Sequence, residues 1–213
     1  MLMKLVGMLD SPYVRRVAVS LQMLGLRFEH QPLSVFRHME PFRRINPVVR
    51  VPTLVSEDGI VLADSTLILD YAERLARPRS LMPADPLAYQ QALHLLGLAL
   101  AAGDKSVALF YERNLRPAEK QHAPWAGRIE DQVRAAYAAL EAEFAQRPPV
   151  TEGDTLAQPA LSTAVFWHFT QRALPGLVAP EQHPALAALS AHAEELPAFR
   201  AAPHGEEACR FDA

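Results

Sequence analysis

Ser11 is followed by Pro12 and a helical run, and that position decides what its hydroxyl can do. It lies where the apolar stretch of residues 3–8 gives way to a helix, whose first amide N–H groups have no partner within the helix. The helix dipole favours an anion at such a place. A thiolate set there would also accept a hydrogen bond from Ser11, lowering the thiol pKa and enlarging the nucleophilic fraction at neutral pH. Ser-Pro is equally an ordinary helix start, a capping hydroxyl followed by the proline suited to the first helical position.

Two further dipeptides gain meaning beside it. Val51-Pro52 opens a strand, where proline is tolerated when the sheet does not need its N–H. It reads as an edge proline or, were the bond cis, as a point where the Val51 amide and carbonyl turn outward to pair with an extended, peptide-like ligand. Asp64-Ser65 precedes an amphipathic run. It is either a plain cap or a place where the Ser65 N–H and hydroxyl hold a carboxylate. Cys209 is the only cysteine, so no intramolecular disulfide forms and any thiol chemistry near Ser11 belongs to a ligand.

The elements that must carry these residues follow from spacing. Residues 3–8 read as a buried strand, and Val14, Val17, Ala18, Leu21 and Leu24 repeat at helical spacing up to Gly25. Residues 27–33 form a second strand, giving βαβ. A polar stretch with a short helix, residues 34–49, leads to a hairpin of residues 51–56 and 60–62 about Asp58-Gly59. A helix from Asp64-Ser65 follows, expected to bury Leu67, Ile68, Tyr71, Ala72 and Leu75. The first domain is thus 1–77, βαβ-ββα with a mixed four-stranded sheet. Residues 78–86, with three prolines, form a linker, and 87–213 an all-helical domain. Within it, Thr155 to Gln158 offers a capping box that Pro159 disturbs, the alternative being Gln158 as cap and Pro159 as first helical residue.

The stretches SPYVRRVAVSLQMLGLRFE, INPVVRVPTLV and VLADSTLILDYAE, with the domain order of the whole chain, resemble the cytosolic glutathione transferase family, specifically its bacterial serine-type members. The resemblance implies a thioredoxin-like N-terminal domain that binds glutathione as co-substrate. It implies that Ser11 contacts the glutathione sulfur, that Val51 pairs with the cysteinyl moiety beside a cis Pro52, and that Asp64 and Ser65 hold the γ-glutamyl end. His38 and Arg50 are both candidates for the glycine carboxylate, and Phe36 for the pocket wall. A second-substrate pocket between the domains would draw on Tyr13, Phe110, Tyr111, Arg113, Trp167 and Phe211, although aromatics on helices more often fill a core. A homodimer is implied as well.

Composition narrows the partners. With 213 residues, half of them hydrophobic, the chain can bury a large core. Its formal charge of −3 gives no general reason to bind nucleic acid or an anionic membrane. No unbroken apolar run approaches the roughly 20 residues of a membrane span, and the N-terminus does not read as a secretory signal, so a cytoplasmic setting is expected. The eight histidines make no metal-holding pair on a helix face, and no metal site is expected. Cys209, in a polar tail, reads as an exposed bystander. The reading is a glutathione transferase whose bound thiolate attacks a small hydrophobic electrophile or a peroxide. The alternatives are a glutathione-dependent disulfide reductase and a non-catalytic binding or assembly protein on the same fold.

Overall fold

The first apolar run becomes a strand because it is covered on both faces. In the computed structural model, which describes residues 2–210, β1 spans Met3–Val6, with Leu5 and Val6 fully buried. It stops short of residue 8 because Gly7 takes a φ of +138°, a backbone state that ends pairing and suits only glycine. Helix α1 (Pro12–Met23) follows, capped by Ser11 and ended before Gly25 at φ +73°.

Strand β2 (Phe28–Gln31) runs parallel to β1, and the polar stretch folds into the short helix α2 (Met39–Ile45). Strands β3 (Thr53–Val55) and β4 (Val61–Ala63) form the hairpin, and α3 (Ser65–Leu75) closes the motif. The sheet order is β2-β1-β3-β4, with β3 antiparallel to both β1 and β4. This is the mixed four-stranded, thioredoxin-like βαβ-ββα arrangement expected from the sequence. Helix α3 packs on α1 through Ser65, Ile68, Leu69 and Ala72. Of the residues expected inside, Ile68 and Ala72 are buried, Tyr71 is half-buried, and Leu67 and Leu75 are not. Leu67 and Leu75 are left 65% and 45% exposed, because residues spaced 0, 3, 4 and 7 from Ser65 occupy the inward face.

The later helices are α4 (Pro86–Asn114), α5 (Ala123–Gln146), α6 (Gln158–Ala173), α7 (Pro184–Glu195) and α8 (Pro197–Ala201). Two two-residue strands, β5 (Thr151–Glu152) and β6 (Thr155–Leu156), interrupt an otherwise helical half. Thr155 therefore lies in a strand and does not cap α6. Ala157 is the cap residue, and Pro159 falls within the first turn, where its missing N–H has no intrahelical acceptor to lose. Helix α4 is long and apolar enough to cross a membrane by length and composition, with a mean hydropathy of 1.4 over its most apolar window. It packs on α5 and α6 and buries Leu96, Ala99, Ala102 and Leu109, with 33% of that window buried.

The chain divides into two compact units. One holds the residues up to Leu81, Glu152–Thr155 and the segment from Glu194 onward; the other holds Met82–Thr151 and Leu156–Ala193. The C-terminal segment joins the sheet unit because α1 holds it. The Arg15 guanidinium, 1% exposed, donates to both carboxylate oxygens of Glu194 at 2.7 Å and through Nε to the Ala202 carbonyl at 2.9 Å. It also lies 5.4 Å from the Phe199 ring centroid.

Candidate functional site at one end of the sheet

Register brings the three sequence signals together. Val6 pairs with Thr53 and Thr53 with Ala63, so the adjoining residues Gly7, Pro52 and Asp64 share one end of the sheet. The chain leaves that end from Gly7 toward Ser11 and from Asp64 into α3. A Cβ at Gly7 would sit 2.6 Å from Val14 Cγ2 and 2.9 Å from Val51 Cγ1, so glycine lets α1 and the Val51 loop close on the same point. The Val51–Pro52 bond is cis. The loop before it is fixed from within. Asn46, buried, donates to Thr53 Oγ1 at 2.8 Å, and Thr53 Oγ1 donates to the Arg50 carbonyl at 2.7 Å. Val49 in this loop takes a φ of +53°, a state rare for a β-branched residue.

The two helix starts are built differently. Ser11 is half-buried, and its Oγ accepts from the Val14 N–H at 3.5 Å, a long and weak bond. Asp64 takes a φ of +74°, and its Oδ1 accepts from the Thr66 N–H at 2.9 Å. Its Oδ2 accepts from Arg50 at 3.2 Å, an exposed pair. Ser65, 4% exposed, accepts on Oγ from Arg16 Nη1 at 2.9 Å.

Arg16 was not singled out from the sequence. It is 1% exposed on α1, and the same Nη1 also reaches Thr66 Oγ1 at 3.3 Å. Burial lowers its pKa to about 10, against the opposing pull of Asp64 and Tyr13. One signal was available. Residues 14–21 of α1 are buried all round, so a charged pair inside that run cannot lie on a wet face.

The remaining candidates fall in varied surroundings. His38 is exposed at the start of α2, its Nδ1 accepting from the Ser34 N–H at 3.2 Å. Phe36 is 60% exposed, and Tyr13 is half-buried. In the helical unit Phe110 packs edge-on to Phe169, Tyr111 is 43% exposed, and Arg113 is paired with Glu130. Trp167, expected near a pocket, is instead core. It is 3% exposed, 5.2 Å from Tyr137 edge-on and 5.6 Å from the His183 ring. Phe211 lies outside the described residues.

Cys209 also departs from expectation. Its side of the tail folds back, its N–H donates to His30 Nδ1 at 2.9 Å, and burial pushes its thiol up to about 12. A thiol held that high is a poor nucleophile. Asp10, beside Ser11, has its carboxyl pKa raised, chiefly by burial. Among the described residues no group of three or more His, Cys, Asp and Glu is placed to hold a metal ion.

A thioredoxin-like sheet with a half-buried serine-to-helix junction, a cis proline and an Asp-Ser helix start at one end, followed by a helical unit, defines a recognisable class. Residues 5–80 match the family model described as the glutathione S-transferase N-terminal domain. A solved glutathione transferase family member from Pseudomonas fluorescens Pf-5, with bound glutathione, is 30% identical over 94% of this chain and 98% of that one, with a TM-score of 0.79. A glutathione S-transferase from Methylobacterium radiotolerans, in complex with glutathione sulfonate, is 25% identical over the full length of both chains, with a TM-score of 0.86. Among curated relatives, the uncharacterized GST-like protein YibF of Escherichia coli K12 is 28% identical over 85% of this chain and 89% of its own. The chain belongs to the glutathione transferase family.

Proposed function

We propose that this protein binds glutathione at the sheet end and uses the Ser11 hydroxyl to stabilise its thiolate for attack on a small hydrophobic electrophile or a peroxide. The single strongest support is the register that brings Gly7, Pro52 and Asp64 to one end of the sheet, from which the chain runs to Ser11 and into α3 at Ser65. In this reading Val51 pairs its backbone with the cysteinyl moiety, and Asp64 and Ser65 hold the γ-glutamyl end. The Ser11 hydroxyl, only loosely engaged with Val14, donates to the sulfur where the α1 dipole also favours charge. Catalysis is then thiol activation and proximity, each holding the reacting atoms without a protein nucleophile. The raised thiol pKa of Cys209 supports assigning the nucleophile to the ligand.

Arg50 fits the glycine carboxylate less well than its charge suggests, because it already spends a donor on Asp64. His38 and Phe36 stand exposed, with the His38 Nδ1 accepting from the Ser34 N–H. Glutathione binding falls to residues 1–77, and residues 87–213 form the helical domain. The setting is cytoplasmic, and the active form is a homodimer in which a second copy covers the apolar Leu67 and Leu75. Light scattering should report a dimer at micromolar concentration; a monomer would remove that part of the reading.

The test is a titration of the ultraviolet thiolate absorbance of bound glutathione in wild type and Ser11→Ala. The mutant should show a raised thiol pKa. An unchanged value would remove Ser11 from the mechanism, and the absence of any binding heat with millimolar glutathione would remove the ligand.

A further inference from the structure

A fully buried guanidinium sits directly beneath the start of α3, and its position gives it a task. Taking a cation out of water is costly, so such a group persists where its field and its donors are used. Arg16 Nη1 donates to Ser65 Oγ at 2.9 Å and to Thr66 Oγ1 at 3.3 Å, the hydroxyls of the first two residues of α3. A guanidinium only donates. Ser65 Oγ therefore spends a lone pair on Arg16 and must aim its own hydrogen elsewhere. The buried cation and the positive end of α3 then act on the same few ångströms, where an anionic ligand group gains from both. Asp64, whose carboxylate would oppose an anion there, is itself engaged by the Thr66 N–H and by Arg50.

We propose that Arg16 is a positioning residue for the ligand's α-carboxylate, acting through Ser65, and that it makes this end of the site selective for a carboxylate over a neutral amide. The proposal rests on the glutathione reading given above and deepens it by assigning the required charge of the γ-glutamyl end. Arg16 touches no ligand. It orients the Ser65 hydroxyl outward and keeps a positive potential behind it.

The experiment is calorimetric titration of the full-length protein with glutathione and with the analogue whose γ-glutamyl α-carboxylate is a primary amide. Wild type should prefer glutathione by at least about tenfold, the scale of a hydrogen bond to a charged group. In Arg16→Met, checked for folding by circular dichroism, that preference should collapse toward unity. A purely structural role would weaken both ligands alike and leave their ratio unchanged, and that result would overturn the proposal. Should Arg16→Met not fold, Arg16→Lys decides, since lysine keeps the charge and loses the fork. It should lower the preference by about threefold in the wild-type background and not at all beside Ser65→Ala. An equal loss in both backgrounds, or none in either, overturns the relay through Ser65. A wild type that binds neither ligand overturns the glutathione reading itself, whereas one that binds both equally overturns only the role of Arg16.

Discussion

The two helix starts at the sheet end serve the same general purpose by opposite means. At α1 the cap is neutral, half-buried and weak, its oxygen 3.5 Å from the amide it serves. At α3 the cap is a carboxylate at 2.9 Å, held in a left-handed backbone state and backed by a buried arginine. A loosely engaged hydroxyl can turn to a ligand without unmaking the helix. A tightly engaged cap cannot, so on the proposed reading the ligand contact at α3 falls to the next residue, Ser65, which accepts from the buried Arg16. On the proposed reading, the difference would separate an end that responds to a reacting sulfur from one that holds a carboxylate still.

Substitution at Ser11 gives the largest effect and tests the weak cap most directly. Ser11→Ala should lower kcat/KM for conjugation on the order of 100-fold, the scale of losing one donor to a developing charge. Its denaturation free energy should move by less than about 0.5 kcal/mol, because the 3.5 Å bond contributes little to the helix. A loss of stability comparable to the usual cap deletion would show that the hydroxyl belongs to the helix and not to the ligand.

Gly7→Ala attacks the approach of the Val51 loop to α1 and should leave the α3 start intact. The new Cβ meets Val14 and Val51 side chains inside 3.0 Å at a φ of +138°, so urea denaturation should show a loss of about 1–3 kcal/mol. Glutathione affinity should fall with it. At the other helix, Asp64→Ala removes a sound cap and places alanine at φ +74°. About 1 kcal/mol should go with the cap. Asp64→Gly should recover part of the loss by relieving the backbone, and Asp64→Asn most of it. If all three behave alike, the left-handed geometry at this position carries no cost and the contrast between the two caps weakens.

How much of this was legible in the sequence depended on the range of the signal. Ser11-Pro12, Gly25, Asp58-Gly59 and Asp64-Ser65 act within a turn of their own position, and each marked its element closely. The four-stranded sheet followed from them. On α3 the pattern marks Ile68 and Ala72 correctly but not Leu67 and Leu75, because an apolar residue beside the stripe looks the same in sequence as one inside it. Trp167 was placed near a pocket because a core aromatic and a lining aromatic have the same composition. The contacts that remained unread join distant segments: Arg16 to Ser65 across 49 residues, and Arg15 to Glu194 across 179. No local pattern announces a partner at that separation. The chain tail, polar in sequence, folds back for the same reason, through backbone atoms that carry no residue code.

That tail supplies the smallest expected effect, and it again concerns the α1 end. His30 joins Cys209 to Gly7: Nδ1 accepts from the Cys209 N–H, so Nε2 carries the hydrogen and donates to the Gly7 carbonyl at 2.7 Å. Burial holds its pKa below the ordinary 6.5, with the Gly7 carbonyl opposing in part. The unfolded chain therefore binds the proton more readily than the folded one. Stability from this contact is fully present above about pH 6.5 and declines as the pH falls through the lower folded value. Protonated Nδ1 would face the Cys209 N–H donor to donor, so the tail contact is what breaks. Denaturation midpoints measured from about pH 8 down to about pH 5 should fall more steeply in wild type than in His30→Gln, which cannot titrate. Equal slopes would mean that the imidazole is not held neutral between the tail and the turn that leads to Ser11.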